Sequence, residues 1–200
     1  MHKYTYLINL LDIIRKENKD INSLYFYNSK ENKKIENGLS RAFINFFLKS
    51  YFGVLDSNYR DSLITDGTSD GGVDAYYIDE NKKYIYVIQS KFRNNFKNFT
   101  TKEIKNKDLW NMNLKRIFKD NCKKDSDGHK YNKKILELQN KISKIKDITQ
   151  YKYKVLLIAN IQESQKRIIE NYFPKEFETE IFNYERIFND ILFPYIRECL

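Results

Sequence analysis

The sequence predicts an α/β fold, a mixed β-sheet flanked by helices, from three observations. Residues 73–78 and 84–92 are strand-like runs joined by the short polar turn Asp79-Glu80-Asn81-Lys82, the pattern of a β-hairpin. Tyr153–Asn160 is a short apolar run of the kind that forms a strand buried on both faces. Around these runs lie segments whose apolar residues recur with helical spacing.

In chain order, Tyr4–Lys16 reads as an amphipathic helix with Leu7, Leu10, Leu11 and Ile14 as its buried stripe. A polar stretch from Glu17 leads to a second helix, Glu36–Ser50, with an apolar face of Leu39, Ala42, Phe43, Phe46 and Phe47. Residues 53–70, rich in Asp, Ser and Asn, read as irregular. After the hairpin, Phe92, Phe96 and Phe99 read as a core face in preference to a base-stacking platform. Two Lys-rich helices, about Thr101–Asp120 and Lys130–Lys146, flank the turn-prone segment 123–128. Their packing seams are Leu109, Met112 and Ile117, then Ile135, Leu138, Ile142 and Ile145, with the lysines on solvated faces. A helix over Glu163–Tyr172, a strand near Glu178–Phe182 and a helix from Tyr184 complete the chain. With no internal repeat or linker, 1–200 reads as one domain, 1–35 being a helical extension and 36–200 the core.

An apolar fraction of 41% with 16% aromatic residues excludes a disordered chain. The net charge of +9 suits a polyanionic partner, although a composition heavy in Lys, Asn, Ile and Tyr is also what an A+T-rich coding sequence produces. No signal peptide or membrane span is expected, and Cys122 and Cys199, lacking a disulfide or zinc spacing, fit a reducing cytoplasm.

The hairpin carries the chemistry. Alternation puts Ile85, Val87, Gln89 and Lys91 on one face, and an antiparallel return sets Asp74 opposite about positions 87 to 89. A carboxylate, an amide and an ammonium then converge. Phosphodiester hydrolysis uses oxygen ligands for a hard divalent cation and a positive group beside the phosphate. Singly, an aspartate caps turns and a lysine extends its head to solvent; together, after the Gly71-Gly72 turn, they point to a metal-dependent nuclease centre. Asp66 to Gly71 also begins like a calcium loop, but Tyr77 stands where the bidentate glutamate belongs, so that reading fails. His2 and His129 have no paired ligand spacing with the cysteines, and His129 reads as a surface residue.

Gly72-x-Asp74 followed by Gln89-x-Lys91 resembles the PD-(D/E)XK nuclease superfamily in its Gln-x-Lys form. The longer strings Asp70–Asp79 and Val87–Phe92 resemble the N-terminal nuclease-like domain of AIPR, abortive-infection phage-resistance, proteins. The resemblance implies a restriction endonuclease-like core, which the order helix, hairpin, helix, strand, helix, strand matches. It also implies a second carboxylate from the preceding helix. Glu36, a turn before Leu39 and Ser40 on or near the core-facing stripe, is the candidate, although a glutamate near a helix N-terminus is favourable whatever the function. By resemblance, Mg²⁺ or Mn²⁺ is held by Asp74, Glu36, the Gln89 amide oxygen and the Ser90 carbonyl, and Lys91 positions the attacking water. Many superfamily members carry Glu or Asp at the position of Gln89.

The expected activity is endonucleolytic cleavage of DNA in bacterial defence against phage, with RNA as the alternative substrate and a non-cutting binding domain as the alternative class. Nucleic acid is the expected partner, a membrane is not, and homodimerisation is left open.

Overall fold

The computed structural model describes residues 2–198, apart from the side chains of His2 and Glu198; Cys199 lies outside the described residues. Helix α1 (His2–Glu17) buries Leu7, Leu11 and Ile14 against α2 (Asn32–Phe52), while Leu10 is half-buried. Between them a 3₁₀ turn, Ser23–Tyr25, is capped by Asn22, whose side chain accepts the Leu24 N–H. Helix α2 is buried on all sides from Arg41 to Leu48, which makes it the central helix of its layer. Its buried polar groups are partnered: Arg41 donates to Asp61, and Asn45 accepts from Arg60 and donates to the Tyr25 hydroxyl.

Within 53–70, expected to be irregular, residues Ser57–Leu63 form helix α3. Asp56 caps it by accepting the Tyr59 N–H at 2.6 Å. The helix escapes a hydrophobic-periodicity reading because two of its buried residues, Arg60 and Asp61, are charged.

The sheet has four strands in the order β1 (Ala75–Asp79), β2 (Tyr84–Ser90), β3 (Lys152–Ile158), β4 (Phe177–Ile181). The hairpin pair β1–β2 is antiparallel and the other two pairs are parallel, so the sheet is mixed. Strand β2 ends at Ser90, earlier than expected, and Lys91 lies just beyond it, its N–H still donating to the Ile158 carbonyl at 2.9 Å. Both faces are covered. Tyr86, Ile88, Leu156 and Ile158 pack in one apolar cluster with α1 and α2; Val87, Val155 and Leu157 pack in the other with Leu109, Met112, Ile135 and Ile169.

Beyond β2 the chain forms α4 (Phe96–Thr101), α5 (Asn106–Trp110) and a π-helical turn, Lys115–Lys119, in place of the single helix expected over Thr101–Asp120. Two backbone contacts interrupt it: the Ile104 N–H donates to Asn160 and the Asn113 N–H to Gly71. The anticipated seam nevertheless holds, with Leu109, Met112 and Ile117 buried. Phe92 and Phe99 are buried as well, but Phe96 is 39% exposed and meets Tyr4 edge-on.

Helix α6 (Lys133–Ser143) buries Ile135 and Leu138, with Ile142 and Ile145 half-buried, and α7 (Glu163–Tyr172) connects β3 to β4. The chain continues through α8 (Tyr184–Arg186), a π-helical stretch Ile187–Leu192, and α9 (Phe193–Glu198). On β4, Glu178 and Glu180 each lie 3.6 Å from the Lys154 ammonium, and Arg186 adds a 2.9 Å contact to Glu180. No helix among the described residues is long and apolar enough to cross a membrane.

The turn before β1 admits only glycine at its tightest point. Gly72 has φ +74°, and a Cβ there would sit 2.8 Å from the Asn111 carbonyl oxygen and 2.9 Å from the Met112 backbone. Gly72→Ala is therefore expected to lose about 1–2 kcal/mol from the left-handed backbone alone, with the backbone collision adding to it. Urea melts of the two proteins measure the loss.

Candidate metal centre

The register Ala75↔Ile88 continues one step, so Asp74 falls opposite Gln89, within the range of 87 to 89 that an antiparallel return predicts. Asp74 N–H donates to the Ile88 carbonyl at 2.8 Å, which fixes its backbone at the end of the ladder. Its Oδ2 accepts Gln89 Nε2–H at 2.8 Å and the Ser90 backbone N–H at 2.6 Å. Its Oδ1 accepts no hydrogen bond among the described residues.

Two further carboxylates join it. The segment before the glycine turn doubles back along β1: Thr65 and Asp66 N–H groups both donate to the Asp74 carbonyl, and Ile64 bridges Ala75. The Thr65 hydroxyl donates to the Val73 carbonyl, and Asn132 fastens the loop by donating to Thr65 O. As a result Asp66, Asp70 and Asp74 each offer a carboxylate oxygen within 4.8 Å of the others. Asp70 also shapes the turn, accepting the Gly72 N–H at 2.8 Å and the Gly67 N–H at 3.1 Å.

The energetics of the three acids are coupled. Burial pushes the Asp74 carboxyl well above the ordinary aspartate range, and repulsion from Asp66 and then Asp70 adds to it, against the Ser90 N–H and Lys91, which favour the anion. Asp70 is raised for the same leading reason, and so is Asp66, whose carboxyl sits in the concave wall although the residue as a whole is exposed.

The expected site residues are thus only partly assembled. Asp74, Gln89 and Ser90 are in mutual contact, and Lys91 lines the same cavity as Asp74, but its ammonium lies 3.5 Å from Asp108 on α5. Gln89 is 2% exposed and turns its amide nitrogen, not its oxygen, toward Asp74. Glu36 departs from its expected core-facing position: it is exposed and accepts a 2.6 Å hydrogen bond from Asn94. It sits one turn out from Ser40, which lines the cavity.

No protein-family model, curated protein or solved structure matches this chain. The chemistry must be read from the residues themselves. The donor set of Asp66, Asp70 and Asp74 consists of hard oxygens, suited to Mg²⁺, Mn²⁺ or Ca²⁺ and not to zinc. A cation at this point would offset the burial and the repulsion that raise the Asp74 carboxyl and would meet its unbonded Oδ1. The residues therefore fit a divalent ion. A second acid cluster, Asp125, Asp127 and His129, is accounted for locally: Asp125 Oδ1 accepts the backbone N–H groups of Asp127 and His129, which closes an exposed turn.

The cavity beside the acids has a volume of about 400 Å³ and is lined by Asp66, Asp74, Arg41, Ser90, Lys91 and Arg93 among others. Arg41, 3% exposed, binds Asp61 Oδ1 through Nε at 3.1 Å and Nη2 at 2.6 Å. Asp61 is further held by Asn22 at 3.0 Å and lies 3.9 Å from the Lys134 ammonium. These partners outweigh burial and hold its carboxyl below the usual range, Arg41 contributing most.

Proposed function

We propose that this chain is a divalent-metal-dependent nuclease with a restriction endonuclease-like core, cleaving DNA in bacterial defence against phage. The observation that carries the reading is the meeting of three carboxylates with a lysine in one cavity at the end of a hairpin strand. The defence role rests on the sequence resemblance alone.

In this reading Asp74, Asp66 and Asp70 hold Mg²⁺ or Mn²⁺, which supplies Lewis-acid activation and charge neutralisation. Gln89 and the Ser90 N–H orient Asp74 by fixing Oδ2, which would leave Oδ1 free to serve as a ligand. Lys91 swings from Asp108 toward the phosphate and offsets its charge. Glu36 stands at the rim, where a ligand role requires it to leave Asn94.

The test is digestion of plasmid, single-stranded DNA and RNA with Mg²⁺ or Mn²⁺, with Asp74→Ala as control. Metal-dependent cutting that the control lacks supports the reading; no cutting of any substrate removes it. Lys91→Ala is expected to abolish cleavage while leaving nucleic-acid affinity within a few-fold, because affinity is spread over many surface lysines. Filter binding and a cleavage time course on one preparation check both halves.

One observation favours a non-cutting, nuclease-like binding domain. Gln89 replaces a possible negative ligand and spends its amide N–H on Asp74, while Lys91 is engaged by Asp108. In that case nucleic acid is bound and the Asp74→Ala control changes nothing but metal affinity.

A further inference from the structure

We infer that the cavity beside the three acids takes one unpaired nucleotide of a single-stranded nucleic acid, its phosphate on Arg41, Ser90 and Arg93 and its base against Phe26 and Leu24. The inference rests on the nuclease reading for the identity of the ligand, since a cation at the acids beside free donors calls for an anion bridging the two.

Three donors along the cavity wall lack acceptors. Arg41 uses Nε and Nη2 on Asp61, and its Nη1 makes no hydrogen bond among the described residues. Arg93 Nε and Ser90 Oγ are buried and without a partner. Buried polar groups in folded proteins are nearly always satisfied, so two of them on residues of one cavity, Ser90 Oγ and Arg93 Nε, call for a ligand rich in acceptor oxygens, and Arg41 Nη1 adds a further free donor. A metal ion does not answer the two arginine nitrogens, because it takes lone pairs and not N–H groups. A phosphate would meet these donors with its oxygens and carry charge opposite to that of a cation held by the acids.

Part of the lining is apolar and held under strain. Phe26 has φ +48°, a left-handed conformation that is an outlier for a bulky side chain. The backbone there is clamped: Arg15 donates through Nε to the Tyr25 carbonyl and through Nη2 to the Phe26 carbonyl at 2.8 Å. Gly38 on α2 leaves no room for a side chain, since a Cβ would stand 2.2 Å from the Tyr25 carbonyl oxygen. The phenyl ring so fixed lines the cavity yet stacks on no other ring among the described residues, and Leu24 beside it is 46% exposed. A backbone held in this conformation by its surroundings, carrying a ring with no ring partner into a cavity, supports a hypothesis of function at that position.

A cavity of about 400 Å³ lined by a phenyl ring and a leucine as well as by two arginines and a serine offers contacts to both halves of a nucleotide. A base inside a duplex is stacked on its neighbours and cannot turn into such a cavity without being extruded. The substrate class is therefore single-stranded nucleic acid or a frayed end.

The test is fluorescence titration of a 2-aminopurine-containing oligonucleotide, single-stranded and paired with its complement, against the full chain in Ca²⁺. The single strand is expected to bind more tightly and to be quenched. Phe26→Gly is expected to lose the quenching and to weaken binding at least roughly five-fold, the lower end of what base–aromatic stacking contributes. Its melting temperature stays level or rises, because glycine is at ease at this φ; Phe26→Tyr keeps the binding. Equal binding of duplex and single strand, no binding of either, or a melting point that falls in Phe26→Gly while binding is untouched, each overturns the inference. Phe26-dependent binding without cleavage by any metal leaves the nucleotide subsite standing and removes the nuclease reading. Cleavage of duplex that ignores Phe26 does the reverse.

Discussion

Asp74→Asn is expected to melt higher than the wild type in chelator at pH 7 to 8, to bind no Mn²⁺ detectable by calorimetry, and to cut nothing. The three effects share one cause. Asp74 is buried beside Asp66 and Asp70, and ionising it in the metal-free protein sets like charges against one another in a desolvated site. An asparagine oxygen still accepts the Gln89 and Ser90 N–H groups, while its own N–H₂ faces the other two acids as a donor. A gain of about 1 kcal/mol raises the melting point of a chain this size by about 2–4 °C.

The pH dependence fixes the sign. The Asp74 pKa is raised on folding, so its contribution is fully present below the unfolded value of about 3.9 and is lost as pH rises through the folded value. Metal-free wild type loses stability over that interval, and the mutant escapes this share of the loss. Mn²⁺ returns it to the wild type only, and more at pH 8 than at pH 5, because binding must displace protons. Differential scanning fluorimetry across pH, with and without metal, reads all of this; a mutant that melts below wild type in chelator contradicts the crowded-acid account.

Asp61→Ala is expected to be the most destabilising substitution outside the apolar core, by about 3–5 kcal/mol, the usual cost of removing one partner from a buried ion pair. Arg41, 3% exposed, loses the acceptor of two of its nitrogens, and Lys134 and Asn22 lose a shared anchor. Arg41→Met in the same background is expected to recover part of the loss, since the stranded charge goes with it. Urea melts of the two single variants and the double variant measure this coupling; independent, additive effects remove Asp61 as the keystone under α2.

What was legible in the chain follows from what a period can carry. The stripes of α1 and α2 are readable because one apolar face meets one core, and an antiparallel return sets Asp74 opposite positions 87 to 89, a range that the register narrows to Gln89. Asp66 and Asp70 stand in a calcium-loop frame that fails at Tyr77, yet both converge on Asp74. Their convergence depends on backbone bonds from Thr65 and Asp66 to Asp74 O and on left-handed residues at Ser69, Gly71 and Gly72, none of which leaves a hydrophobic signature. The Asp66-x₃-Asp70-x₃-Asp74 spacing around a glycine turn was the signal available. Helix α3 was hidden because charged residues occupy its buried face, and the 101–120 segment broke because Asn160 and Gly71 compete for its N–H groups. Glu36 obeys its helix but lies on the solvent side of the first turns, where one residue's rotation, about 100°, separates inward from outward.

The charges on β4 bear on how copies of the chain meet. Strand β4 pairs with β3 along one side only, and on its other side the Ile181 carbonyl accepts from Arg186 Nη1 at 2.8 Å while the Phe177 N–H donates to the Pro174 carbonyl, so the usual template for unwanted sheet growth is only partly open. Glu178 and Glu180 occupy alternate positions on this edge and are balanced from within, by Lys154 and Arg186. Because each glutamate is already paired with a cation, the guard on this edge is the closure of its backbone groups from within, which leaves a second copy fewer partners.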